Sequence, residues 1–182
     1  GWIDQSRLSP DDFELYCNYH DAEWGRPLRG SAALFERVTL EAFQSGLSWL
    51  IILRKRDNFR TAFDGFDVER VARYTERDVE RLMADQGIVR NRLKIDATIS
   101  NAQVVARLAD DGVDLGELLW SFAPQDRITR DRPVDLSQVA PVTPESTAMA
   151  KELKIPVLVL SQLSRAPETR DKTGVPKLSE RR

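Results

Sequence analysis

The chain holds one cysteine and one histidine in 182 residues, and each scarcity closes off a class of chemistry. Cys17 alone cannot form an internal disulfide and fits a reducing compartment. His20 alone leaves little room for a His-rich metal centre or for a conventional nucleophile–histidine–carboxylate triad. No apolar run approaches the roughly 20 residues of a membrane span, and no signal peptide opens the sequence. Net charge is −2, so no global basic field advertises nucleic acid or membrane, although a local patch can still bind either. No Gly-x-x-x-x-Gly-Lys-Ser/Thr loop occurs, which excludes a P-loop ATPase. These exclusions leave a soluble protein expected in the cytoplasm. Its 41% hydrophobic residues are enough for the core of one domain, or one domain plus an appendage.

What the sequence does contain is helical periodicity. Ser9-Pro10-Asp11-Asp12 reads as a helix start, with a serine cap, proline in the first turn and acids near the positive end of the dipole. That helix carries Phe13, Tyr16 and Cys17, and the segment from Asn18 to Pro27 runs on into turn residues. Ala33 to Ile52 reads as two helices broken at Gly46, the second continuing through the charged run Arg54 to Arg60, which reads as a solvated face. Short helices split at Asp64-Gly65 follow, then Thr75 to Ala84 with Thr75 and Asp78 as a capping box. A long helix begins near Asn91 or Arg92, and another spans Leu115 to Phe122. Residues 123 to 145 carry Pro124, Pro133, Pro141 and Pro144 and read as a surface strap. Helix returns from Ser146 to Lys154. The expected fold class is therefore all-α. Ile155 to Leu160 then reads as a buried strand with no second strand to pair with, and the polar, basic tail from Ser161 to Arg182 is expected to be flexible.

Three features carry chemistry. On the first central helix, Leu34, Val38, Glu41 and Ser45 share one face. A carboxylate on a burying face is costly unless paired, solvated or used. Gln44 lies close enough to share its site, and Trp49 follows across the Gly46 turn, with Ser48 as a possible cap. This combination suits a pocket for a flat, nitrogen-rich ligand; the alternative is a surface glutamate at the edge of a core helix. Second, the turn at Gly87-Ile88 between two helices can point backbone N–H groups at a phosphate oxygen, with Arg90, Arg92 and Lys94 beside it; the alternative is an ordinary corner with solvated basic residues. Third, Trp2, Tyr16, Tyr19, Trp24 and Trp49 are core residues or, gathered near one glutamate, a base-stacking cage.

Together these residues resemble one family. The carrying segments are Gly1-Trp2, Tyr16-x-x-Tyr19-His20-Asp21-x-Glu23-Trp24-Gly25, Leu34-Phe35-Glu36, Leu40-Glu41-x-x-Gln44-x-Gly46-Leu47-Ser48-Trp49, Gly87-Ile88-Val89-Arg90-Asn91-Arg92-x-Lys94-Ile95 and Trp120-Ser121-Phe122. From Gly1 to about Lys154 the chain is similar to 3-methyladenine DNA glycosylase I. The resemblance implies a helix-hairpin-helix glycosylase domain over residues 1–154, with 155–182 an atypical tail. It implies Glu41 as the active-site glutamate, Tyr16 and Tyr19 as base contacts and Trp49 as the stacking tryptophan, with Trp2, Trp24, Gln44 and Ser48 around the base. Gly46, Leu47, Gly87, Ile88, Arg90, Arg92 and Lys94 are expected on the DNA. The implied reaction hydrolyses the N-glycosidic bond of 3-methyladenine in alkylated double-stranded DNA. It needs no catalytic cofactor, forms no Schiff base and leaves an abasic site, and the enzyme is expected to be a monomer. A non-catalytic binder of damaged DNA, or an inactive chain with a replaced C-terminus, is the alternative.

The sequence departs from the family in two places. The family's structural zinc takes a cysteine just before the Gly-Trp, the histidine matched by His20, and a histidine and cysteine near the C-terminus. Only His20 is present, the sequence starts one residue too late for the first cysteine, and Cys17 matches no family ligand, so no properly formed zinc site is expected. In place of the family C-terminus, Ala150 to Arg165 resembles a core strand of DnaB-type replicative helicases, with Gln162 at the position of a nucleotide-sensing glutamine.

Overall fold

The computed structural model describes residues 8–123 and 142–153. These fall into two units, one over residues 8–123 and one over residues 142–153. Every regular element among the described residues is helical: α1 (Pro10–Ala22), α2 (Ser31–Gln44), α3 (Trp49–Ala62), a 3-10 turn Asp64–Phe66, α4 (Val68–Val71), α5 (Glu76–Ala84), α6 (Arg92–Asp110), α7 (Leu115–Ser121) and, in the second unit, α8 (Pro144–Leu153). Trp2, the strap over residues 124–141, the run Ile155 to Leu160, the tail to Arg182 and the helicase-like segment from Lys154 onward lie outside the described residues.

Local chemistry sets the helix starts. The Ser9 hydroxyl accepts the Asp12 amide at 3.2 Å, with Pro10 in the first turn. The Asp78 carboxylate accepts the Thr75 amide at 2.9 Å, and Asn91 Oδ1 accepts the Lys94 amide at 3.2 Å, so α6 starts at Arg92. Ser48 occupies the cap position of α3 without a side-chain bond to the helix. In the second unit Thr143 and Ser146 cap α8 reciprocally, each amide bonding the other's hydroxyl at 3.0 and 3.2 Å. Helix α1 runs further than its sequence pattern predicts: it includes Tyr19, His20 and Ala22, so Cys17 and His20 sit one turn apart on one helix.

The core of the first unit is aromatic. Phe43, Phe59, Phe63 and Phe66 are fully buried, and successive rings lie 4.8 to 6.3 Å apart along a chain from Phe43 to Tyr74. Helices α1 and α2 pack on α3, α4 and α5 pack on α6, and α6 also reaches α2. The buried face of α2 is Phe35, Thr39, Leu40 and Phe43. That is one residue round from the expected stripe: Leu34, Val38 and Glu41 are half-buried beside it, and Ser45 is exposed. The two phenylalanines bury more apolar area than Leu34 and Val38, and so they take the centre of the interface. The shift leaves Glu41 at the margin of the core, where a carboxylate can be held.

Candidate active site

Helices α1, α2 and α3 bring the candidate residues together. Trp49, at the start of α3, is only 6% exposed and faces Tyr19 of α1, the ring centroids 5.5 Å apart and tilted at 55°. The Trp49 indole N–H is buried and finds no partner among the described residues. Tyr16, one turn before Tyr19, is half-buried. Burial pushes its phenol pKa up, partly offset by a backbone hydrogen bond with Leu50. Burial likewise raises Tyr19, with Arg37 opposing and the charge of Glu41 adding to the rise, which puts Glu41 within electrostatic reach of the Tyr19 hydroxyl.

Glu41 makes no hydrogen bond or ion pair among the described residues. Burial pushes its carboxyl above the usual range, and Arg37, one turn earlier on α2, pulls it part of the way back. A half-buried carboxylate with no partner among the described residues, within electrostatic reach of the tyrosine against which Trp49 packs, can take a ligand that offers hydrogen-bond donors and a ring face. The turn that separates α2 from α3 depends on glycine: Gly46 sits at φ 81°, which side chains rarely adopt. Gln44 is half-buried, while Ser45, Gly46, Leu47 and Ser48 are exposed, Leu47 at 37%.

The remaining sequence-derived site residues fall elsewhere or are committed to other contacts. Trp24 is 50% exposed and stacks on His20, with centroids 5.4 Å apart and 15° between planes; its ring contact is with His20 and not with Tyr19 or Trp49. At the second turn Ile88 is buried, and the Gly87 amide donates to Asp85 Oδ1 at 2.7 Å, so that N–H is already engaged within the turn. A Cβ at Gly87 would lie 2.9 Å from Asp85 Oδ1 and 3.1 Å from Asn58 of α3, so a side chain there would require both neighbours to shift. Arg90 is exposed and unpaired among the described residues. Arg92 is clamped to Glu76 at 2.7 and 2.6 Å, and Lys94 donates to the carbonyls of Phe43 at 2.8 Å and Ser45 at 2.7 Å. The three cations beside Gly87 are therefore not equivalent: among the described residues, Arg90 alone of the three is unengaged.

The sequence pattern gives no sign of another set of residues. The charged run of α3, read as a solvated face, is tied to other elements. Arg54 forks onto Asp12, and Lys55 donates to the carbonyls of Gln86 at 2.8 Å and Gly87 at 3.1 Å. Arg56 pairs with Glu23 at 2.7 Å and Arg60 with Glu36 at 2.8 Å. Helical spacing marks these positions as polar without showing which neighbour they meet.

Of the zinc ligands that the resemblance implies, only His20 lies among the described residues. The sequence supplies one histidine and one cysteine, His20 Nδ1 is engaged with Asp21 Oδ1 at 2.9 Å, and no group of three or more His, Cys, Asp or Glu able to hold a metal occurs among the described residues.

The methyladenine glycosylase family model matches residues 10–157. The chain belongs to that family. It is 41% identical over 155 residues to DNA-3-methyladenine glycosylase 1 of Escherichia coli (strain K12), a match spanning 85% of this chain and 78% of that protein. Among solved structures, a crystal structure of 3-methyladenine DNA glycosylase I superposes with a TM-score of 0.76 at 38% identity, covering 88% of this chain and 87% of that one. The 3-methyladenine DNA glycosylase I of Staphylococcus aureus, whose structure concerns 3-methyladenine recognition, superposes with a TM-score of 0.68 at 36% identity, over 80% and 78% of the two chains.

Proposed function

We propose that the chain is a base-excision DNA glycosylase that removes 3-methyladenine from alkylated double-stranded DNA by hydrolysing its N-glycosidic bond. The observation that carries this reading is Glu41: a half-buried carboxylate, unpaired among the described residues and within electrostatic reach of Tyr19, whose ring packs on Trp49. Methylation at N3 makes the base cationic and already a good leaving group, so flipping, binding and water positioning matter more than acid catalysis. In the reaction the C1′–N9 bond breaks and its electron pair stays on the base, which becomes neutral. A water oxygen bonds C1′ and gives up a proton, leaving an abasic site. Glu41 complements the cation and accepts hydrogen bonds from the base edge, while Trp49 offers a ring face. Base–aromatic stacking contributes about 1–3 kcal/mol, comparable to the few kcal/mol that unstacking costs. A weakly paired, damaged base is extruded on these terms where a normal one is not.

For DNA contact, the reading places the exposed Gly46-Leu47 turn and the α5–α6 turn at Gly87-Ile88, read as the hairpin of a helix-hairpin-helix, against the duplex. Arg90 supplies a free cation for phosphate. The glycosylase domain is assigned to residues 1–154, in keeping with a family match that ends at residue 157. The chain is read as a monomer. No described helix is long and apolar enough to cross a membrane, and one unpaired cysteine supports a cytoplasmic setting. No catalytic cofactor is invoked. Incubation with methylated DNA tests the reading: free 3-methyladenine should be released and abasic sites should accumulate. Binding to methylated DNA without release would make the chain a non-catalytic binder of damage.

A further inference from the structure

Arg37 stands behind the pocket, on α2 one turn before Glu41. Its Nη1 donates to the Tyr19 hydroxyl at 3.1 Å, its Nη2 donates to Glu23 Oε2 at 2.8 Å, and its guanidinium carbon lies 5.4 and 5.8 Å from the ring centroids of Tyr19 and Trp49. Glu23, at the end of α1, also accepts from Arg56 of α3 at 2.7 and 2.8 Å. The guanidinium is thereby fixed by a carboxylate that two arginines share, at the point where α1, α2 and α3 meet.

A guanidinium has donors only, whereas a phenol both donates and accepts. In this contact the Tyr19 oxygen must therefore be the acceptor. Its own proton is left to donate elsewhere, and among the described residues it has no acceptor. Arg37 would also place a cation beside a site for a cationic base; Glu23, shared with Arg56, offsets that charge only in part, and Glu41 supplies the second carboxylate.

We propose that Arg37, held in place by Glu23, is a positioning residue that fixes the Tyr19 hydroxyl as a hydrogen-bond donor to the bound base. It contacts no reacting atom; it acts through Tyr19. The inference rests on the glycosylase reading, and the experiment separates the two. Base release by the parent protein is measured first, and absence of release defeats the glycosylase reading itself.

With an active parent, a double-mutant cycle decides the role of Arg37. Arg37→Lys keeps the charge beside Glu41 but has a compact ammonium in place of the planar fork that spans Tyr19 and Glu23. It should lower kcat/KM for 3-methyladenine release about tenfold in the parent, the scale of one hydrogen bond to a charged group. In the Tyr19→Phe background the same change should cost no more than about twofold, because the hydroxyl it orients is gone. Arg37→Met, which removes the donor altogether, should couple to Tyr19→Phe in the same way, so the test survives poor folding of either variant. Circular dichroism confirms that the compared proteins are folded. Equal losses in both backgrounds, or no loss in the parent, would overturn the proposal and reduce Arg37 to packing.

Discussion

Lys94, in the first turn of α6, donates its ammonium to the Ser45 carbonyl at 2.7 Å and so closes the C-terminal end of α2. A second bond, to the Phe43 carbonyl at 2.8 Å, makes the side chain a cap for carbonyls that have no partner within their own helix. Burial lowers the Lys94 pKa. The contact joins the Gly46-Leu47 turn to the start of α6, and Lys55 makes the matching tie from α3 to the Gln86 and Gly87 carbonyls. Two lysines thus set the spacing of the two turns assigned to DNA.

Lys94 and Arg90 should therefore behave differently when replaced. Lys94→Met leaves helix-end carbonyls unsatisfied, at a cost of about 1–3 kcal/mol. It should lower the melting temperature and the rate of base release, and leave the salt dependence of DNA affinity unchanged. Arg90→Ala should leave the melting temperature alone and reduce the slope of log affinity against log salt by about one. Titrations at several salt concentrations check both. A slope change for Lys94→Met equal to that for Arg90→Ala would mean that Lys94 leaves Ser45 for a phosphate on binding.

Glu41 should show opposite effects on activity and stability. Glu41→Ala should abolish or strongly reduce base release while the helical circular dichroism spectrum persists. Because burial raises its carboxyl pKa, base release that needs the carboxylate should fall as pH drops through that raised value, above the range where free carboxylates titrate. A carboxyl raised by folding destabilises the fold once pH exceeds its folded pKa, since the charged form is better solvated in the unfolded chain. Glu41→Gln should therefore raise the melting temperature at neutral pH, and whatever base release remains should lack the acid limb of the parent profile. Base release at the parent rate from Glu41→Ala would leave Glu41 as a packing-edge residue.

Trp49 should report the stack directly. Trp49→Ala should weaken binding of free 3-methyladenine by about 1–3 kcal/mol, measured by titration at a temperature where the variant is folded. Because Trp49 is also part of the core, its removal should lower the melting temperature as well, so affinity and stability need separate measurements. Unchanged affinity would take Trp49 out of the pocket.

Asp12 gives a pH signature that belongs to the fold and not to the site. The fork from Arg54 and the hydroxyl of Ser9 hold its carboxyl at about 2, below the usual carboxylate range. A depressed acid stabilises the fold above its unfolded pKa, and that contribution is lost as pH falls towards about 2. Arg54→Met should lower stability to urea at neutral pH, and the difference from the parent should shrink on acidification through that window. A deficit of the same size at pH 2 and pH 7 would show that Arg54 acts through packing of its aliphatic stem.

The helices were legible because their signals are local. Ser9-Pro10, Asn91 and the Thr75–Asp78 pair act within one turn, and helical spacing separates apolar from polar faces without reference to other elements. The resemblance likewise implies that Glu41, Tyr19 and Trp49 share one site. The sequence did not decide which face of α2 lies deepest, because Leu34–Val38 and Phe35–Phe43 both satisfy the helical period; the better fit of two phenylalanines into an aromatic core settled that. Nor did it reveal the destinations of the long charged side chains. Arg37, Arg56, Lys55, Arg92 and Lys94 look alike as exposed cations in a helical pattern. Tertiary packing ties Arg37 and Arg56 to Glu23, Lys55 and Lys94 to carbonyls, and Arg92 to Glu76, and gives Arg90 no partner among the described residues. The distinction is physical: a cap or an apolar stripe is fixed by neighbours within about four residues. A flexible cation, by contrast, goes to whichever carboxylate or orphan carbonyl the packing of distant helices brings within reach.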